Sequence, residues 1–130
     1  MSEENVAVVR RMTEEFNARN LLLGTLDPEV EWIEDQRYPG AGTFHGPGGV
    51  EQSIKKWWDA WAEITMEIEE VIDMDERVVV AGRSRARGDG SDVTITAEFG
   101  AVYDFRDGRI VRVQVLAGRE EALEAAGLPR

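Results

Sequence analysis

The stretch RVVVAGRSRARGDGSDVTITAEFGAVYDFRDGRIVRVQVL, residues 77–116, reads as three consecutive antiparallel strands. Arg77 to Arg87 is rich in β-branched residues, Gly88-Asp89-Gly90-Ser91 supplies a turn, and Asp92 to Arg106 returns alongside. Asp107-Gly108, set between Phe105-Arg106 and Arg109-Ile110, is a two-residue hairpin signal, because such a turn needs positive φ at both central residues. The last strand then runs to about Leu116. Upstream, Met66, Ile68 and Val71 add a fourth strand to this meander, turned at Asp73-Met74-Asp75. Downstream, a short helix from Arg119 to Ala126 is stopped by Gly127 and Pro129.

The N-terminal half reads differently. Ser2 is a helix N-cap signal, Glu3 and Glu4 suit the positive end of a helix dipole, and Val6, Val9, Met12 or Thr13, and Phe16 recur at helical spacing. The first helix therefore covers roughly residues 3 to 18. Leu21 to Leu23 and Leu26 suggest a short second helix or turn, ended by Asp27-Pro28. Val30 to Glu34 is a strand whose alternation puts Val30, Trp32 and Glu34 on one face. Residues 35–49 form a glycine- and proline-rich loop, and from Gly49 the apolar positions Val50, Ile54, Trp57, Trp58, Trp61 and Ile64 mark a longer helix with an aromatic face. Helices first and an antiparallel meander last define an α+β domain. The expected architecture is a cone-shaped, curved antiparallel or mixed sheet wrapped round three helices from the N-terminal half, with a short C-terminal helix. One such domain spans residues 1–130, and its open end is the natural seat of a small-molecule pocket.

Composition narrows the function. Asp plus Glu number 26 against 15 Lys plus Arg, a formal charge of −11 that repels phosphate backbones and anionic membranes. The absence of cysteine removes disulfides, thiolate nucleophiles and thiolate metal sites. A single histidine, His45, excludes a multi-histidine metal centre within one chain, so neither metal nor cofactor is expected. The glycine run GPGG lacks the Lys-Ser/Thr that completes a phosphate-binding loop. Acids stand where a signal peptide would be basic, and no apolar run approaches the ~20 residues that cross a bilayer, so a cytoplasmic location is expected.

Six fragments, ENVAVVRRM with FN at 16–17, DPEVEW at 27–32, FHGPGGV at 44–50, DERVVV at 75–80, FRDGRIVRV at 105–113 and REEALEAAGL at 119–128, resemble in order the nuclear transport factor 2-like superfamily and, within it, the SnoaL-like group. The resemblance implies a cone that binds a small molecule. It does not fix an activity, because relatives include isomerases, epoxide hydrolases, polyketide cyclases, dehydratases and members without known catalysis. Transferred position by position, the isomerase's helix-one tyrosine falls on Met12, its base near Trp32 and its second acid on Ala101. The epoxide hydrolase's arginine falls on Arg83, its neighbouring aspartate on Arg85 and its last-strand aspartate on Val115. The residues that position its water fall on Trp32 and Glu34, and the aspartate common before the last helix is Gly118.

The site expected from these residues starts at Glu34. Turned inward, its carboxylate needs a partner, and Arg83 or Arg85, read as inward-facing with Val79 and Ala81, would supply one. That arrangement is either a structural ion pair or an acid–base site, with Glu34 as base and an arginine as electrostatic partner. Trp32, Tyr38, His45, Trp57, Trp61, Phe99, Tyr103 and Val115 are the candidate ligand-binding residues. The tryptophans read first as core and dimer surface, with one or two stacking on a ligand as the sharper alternative, and His45 sits in a loop that could act as a lid. Two functional readings follow: a metal-independent enzyme of the isomerase, dehydratase, cyclase or epoxide-hydrolase type, or a non-catalytic ligand-binding or scaffold dimer whose pocket its own tryptophans fill. A homodimer is expected through the outer sheet face, read as Val78, Val80, Gly82 and Ser84 with Thr94, Thr96, Glu98, Gly100, Val102, Arg112 and Gln114, on the ground that no helix is left to cover it.

Overall fold

Glu3 and Glu4 open α1 (Glu3–Asn17), whose apolar stripe of Val6, Val9, Met12 and Phe16 packs into the main core. The computed structural model describes residues 3–129, so the Ser2 cap lies outside the described residues. Asn17 ends the helix by clamping the next layer. Its amide donates to the Met66 carbonyl and its oxygen accepts the Met66 N–H, both at 2.8 Å. Arg19, in the left-handed region at φ 59°, donates to the carbonyls of Trp58, Trp61 and Ala62 at 3.0–3.4 Å. A guanidinium there satisfies carbonyls that the end of α2 (Gly46–Ala60) leaves open.

At Leu21–Leu26, where a short helix or turn is expected, the chain makes a turn, the Leu26 N–H donating to the Leu23 carbonyl at 3.1 Å, and no helix. The chain instead enters β1 (Leu26–Glu34), where Leu26 pairs with Ile110 and the ladder resumes only at Glu31. That irregularity accommodates Pro28, which cannot donate to a ladder. The cone is therefore filled from the N-terminal half by two helices. The loop expected over 35–49 contains a short strand, β2 (Thr43–His45), paired antiparallel to β1, and α2 starts at Gly46 rather than Gly49. Pro47 sits in its first turn, where a missing N–H loses nothing.

The meander follows as β3 (Glu63–Asp73), β4 (Arg77–Arg87), β5 (Thr94–Arg106) and β6 (Arg109–Leu116), and Asp107 and Gly108 adopt φ 53° and 77° between the last two. The six-stranded sheet is mixed and open, in the order β2-β1-β6-β5-β4-β3, with β1 and β6 parallel. This is the α+β cone fold. On its concave side α1 and α2 cover Val78, Val80, Phe99, Ala101, Tyr103 and Phe105. Gly82 permits that packing, since a Cβ there would strike the Glu67 carbonyl and lie 3.0 Å from the Phe99 ring.

The convex side is not bare. α3 (Arg119–Ala125) lies across it, with Ala122 and Ala126 on Val79 and Val102, and Ile72, Met74, Leu116 and Leu128 around them. Gly100 lets the helix approach, because a Cβ would meet the Gly118 carbonyl and the Ala122 methyl. Arg119 pairs with Glu70 at 2.5 Å and Arg37 with Glu121 at 3.1 Å, tying α3 to β3 and to the loop after β1. The apolar part of the face expected to be open is thus covered by the chain's own last helix. Among the described residues no helix is long and apolar enough to cross a membrane.

Candidate functional site

The facing of β4 decides the site. Val80 pairs with Ala101, Ser84 with Ala97 and Gly82 with Phe99, so even positions on β4 share a face with odd positions on β5. Residues directly opposite in a ladder point the same way. Val78, Val80, Gly82 and Ser84 therefore face the concave side, while Val79, Ala81, Arg83 and Arg85 face out. This reverses the expected parity for that strand and leaves β5 and β6 as read. The pattern gave no guidance because Val78 to Gly82 are all buried, one set by α1 and α2 and the other by α3. Arg83 and Arg85 are exposed, and Arg83 pairs with Glu69 at 3.4 Å on the surface. Neither meets Glu34.

Glu34 is buried, with no accessible side-chain surface, and its partner is Lys56. Lys56 Nζ donates to Oε1 at 2.7 Å, and Ser53 Oγ and Trp57 Nε1 donate to Oε2 at 2.7 and 2.9 Å. Ser53, Lys56 and Trp57 lie at spacings of three and four on one face of α2, which is how one helix delivers three donors to one carboxylate. Lys56 also donates to the Gly40 carbonyl at 3.1 Å and stands 5.0 Å over the Phe44 ring. The signal for this cluster was a serine inside the apolar stripe Val50, Ser53, Ile54, Trp57, and the sequence reading passed over it.

Trp57, held by Glu34, forms one wall of a cavity of about 120 Å³. Cavities of roughly 150 Å³ take up one benzene-sized ring, which sets the scale. Of the expected ligand-binding residues, Trp32, Tyr38, Trp57, Phe99, Tyr103 and Val115 line it. His45 is exposed at the start of α2, and Trp61 follows the end of that helix with its carbonyl taken by Arg19; neither lines the cavity. Met12, Thr13 and Phe16 from α1, Ile54 from α2, Ile64 and Met66 from β3, Ser84 from β4 and Ala101 from β5 complete the wall, positions whose meeting needed the tertiary arrangement to be seen. Glu34 stands behind Trp57 and is not part of the lining.

Among the described residues the lining carries no charged side chain. Tyr38 packs edge-on against Trp57 at 5.2 Å, and its hydroxyl donates to the Leu116 carbonyl at 2.9 Å. Burial pushes its pKa up to about 12, with the Asp35 carboxylate adding to the rise. Burial alone raises Tyr103 to about 12, with no neighbouring charge or hydrogen bond contributing. Both stay neutral phenols at physiological pH. Trp32 is nine-tenths buried, and its indole N–H has no acceptor among the described residues. A buried donor left unpaired costs about 1–3 kcal/mol, and the Trp58 N–H and the Thr25 hydroxyl, away from the lining, are in the same condition. Among the described residues no three His, Asp or Glu side chains stand close enough to hold a metal ion.

These features sit within the open six-stranded cone described above. The chain is a member of the SnoaL-like domain family, whose profile matches residues 9–113. It is similar to a solved NTF2-like protein of unknown function from Burkholderia pseudomallei, with 29% identity, TM-score 0.80, and 94% of this chain and 96% of that one covered. It also resembles the fold of TerC, co-crystallized with polyporic acid, at 22% identity and TM-score 0.79 over 95% of this chain and 97% of that one. A SnoaL-like polyketide cyclase assignment from Jannaschia sp. aligns at 16% identity and TM-score 0.74, covering 98% and 94%. No curated protein matches the sequence.

Proposed function

We propose that this protein binds a small, ring-bearing, mostly apolar organic molecule with one carbonyl or hydroxyl acceptor. The observation that carries the reading is an uncharged, largely aromatic cavity whose lining includes Trp32, a residue whose indole N–H finds no acceptor among the described residues. Tyr103, neutral and held near pKa 12 by burial, is the second donor on the same wall. The ring would occupy the space between Trp57, Phe99 and Met66, and its acceptor would turn to the two donors. The bound TerC structure supports a cone of this shape accepting a small molecule.

Binding is the better-supported of the two functional readings. Glu34 has three donors on its two oxygens and stands outside the lining, so it acts through Trp57 as a positioning residue. An isomerase- or cyclase-type step would have only neutral lining groups to work with, chiefly Tyr103 polarising a carbonyl. Calorimetric titration with acetophenone against ethylbenzene tests the proposal. The ketone should bind about 5–10-fold more tightly, the ratio expected of one neutral hydrogen bond. No heat and no chemical-shift change with either compound removes the reading.

Assembly belongs to the same proposal. On the convex face beyond α3, Glu63, Thr65 and Glu67 lie beside Arg87, Arg85 and Arg83, with Thr96 and Glu98 next on β5. Adjacent rows of opposite charge are self-complementary about a two-fold axis, so the homodimer would form there through polar contacts. Sedimentation should show a dimer of the 14.6 kDa chain at low ionic strength that weakens in salt. A mass near one chain in both conditions removes the interface.

A further inference from the structure

Among the described residues the exposed large hydrophobic side chains are Val93 and Ile95, 67% and 53% accessible, side by side where β5 begins. Their position relative to the cavity gives them meaning. Ile95, Ala97, Phe99, Ala101 and Tyr103 are alternate residues of β5 and share its concave face, and the last three line the cavity. Two cross-strand rows make the same connection. Ala97 pairs with Ser84 and Ser84 with Met66; Ile95 pairs with Ala86 and Ala86 with Ile64. Ser84, Met66 and Ile64 are all cavity residues. The lining thus continues without a charged residue out of the cavity and over an open apron. Ile95 ends that apron about 10 Å from Ile64 and about 13 Å from Phe99, at ~4.8 Å per strand and ~3.3 Å per residue. The opposite face of the same strand segment carries Thr94, Thr96 and Glu98, so the apolar alternation is specific to the side that leads from the cavity.

We infer that Ala97 and Ile95 form a second apolar subsite for the tail of the same ligand, so that the ligand is an elongated molecule, with a ring or acceptor-bearing head in the cavity and a hydrocarbon extension lying along β5. This rests on the cavity reading above and adds the ligand's length class to it. Continuity of the lining argues for a tail of the bound molecule as occupant, since no break separates the apron from the residues that would hold the head. A head in a 120 Å³ cavity leaves no room for a long substituent inside, so an extension has to leave along this face.

The test is a homologous series of alkyl phenyl ketones, acetophenone through octanophenone, titrated by calorimetry into the wild-type protein and into Ile95→Asp and Ile95→Ala. A fully buried methylene strengthens binding about fourfold, and one-sided contact on an open apron should give about twofold per methylene. Ile95→Asp should flatten the chain-length dependence while leaving acetophenone affinity unchanged, and Ile95→Ala should weaken it partially. Ile95 is exposed, so both variants should fold. Failure of acetophenone itself to bind overturns the cavity reading together with this one. Acetophenone binding with no gain along the series overturns the subsite alone, as does a gain that survives Ile95→Asp. A flat series combined with a change of mass in light scattering for Ile95→Asp assigns the apron to a contact between copies of the chain instead.

Discussion

Replacing Lys56 by Met removes the only cationic group among the described residues that contacts the buried Glu34 carboxylate, and the structure sets the size of the effect. The Glu34 side chain has no accessible surface, whereas the Lys56 side chain is 36% exposed and its nitrogen lies 2.7 Å from Oε1. Breaking a buried ion pair by deleting one partner costs about 3–5 kcal/mol, because the remaining charge keeps its desolvation penalty. Two donors, Ser53 and Trp57, remain on Oε2, and water can reach the site vacated by the half-exposed lysine. The expected loss is therefore about 2–3 kcal/mol, including a few tenths from the cation–π contact with Phe44. At roughly 4 °C per kcal/mol for a domain of this size, the melting temperature should fall by about 8–12 °C. Urea unfolding followed by circular dichroism measures it directly. The decisive variant is Glu34→Gln combined with Lys56→Met. The amide oxygen can still accept from Ser53 and Trp57, and no charge is left buried, so the double variant should recover to within about 1 kcal/mol of wild type. If Lys56→Met alone changes stability by less than about 0.5 kcal/mol, or if the double variant loses the sum of the two single losses, the carboxylate is not held as argued.

Three further outcomes are expected. Trp32→Phe removes a donor that has no acceptor among the described residues; its stability should stay within about 1 kcal/mol of wild type while acetophenone affinity falls about 5–10-fold, and equal losses of both would refute a ligand role. Gly82→Ala drives a methyl into the Glu67 carbonyl and against Phe99, so it should lose at least ~3 kcal/mol or fail to fold, whereas Gly24→Ala, facing open space, should be close to neutral by the same thermal melt. Folded Tyr103 keeps its proton to about pH 12 while an unfolded tyrosine loses it near pH 10, so the unfolded state binds fewer protons and stability falls as pH rises through that window. The contribution is about 1.4 kcal/mol by pH 11, and Tyr103→Phe should show a shallower alkaline decline than wild type in urea titrations at pH 9 to 11.

The sequence by itself determined the strand order of the meander, the Asp107-Gly108 hairpin, the shared face of Val30, Trp32 and Glu34, and the shared face of Phe99, Ala101 and Tyr103. Each of those rests on local physics: turn dihedrals, strand alternation and helical spacing act over a few residues and leave their mark in composition. The tertiary structure decided the rest. Val78 to Ala81 carry no alternation because both faces of β4 are covered, so only the ladder Val80–Ala101 shows that Arg83 and Arg85 point outward. Thr43–His45 is too short and too glycine-flanked to announce itself as a strand, and it exists because β1 offers an edge. Glu34 selects Lys56 over the arginines because a buried carboxylate binds the cation that the packing of α2 on β1 brings to 2.7 Å, and α3 covers the convex face because Gly100 admits it; both outcomes depend on contacts between segments distant in sequence, which no local pattern encodes.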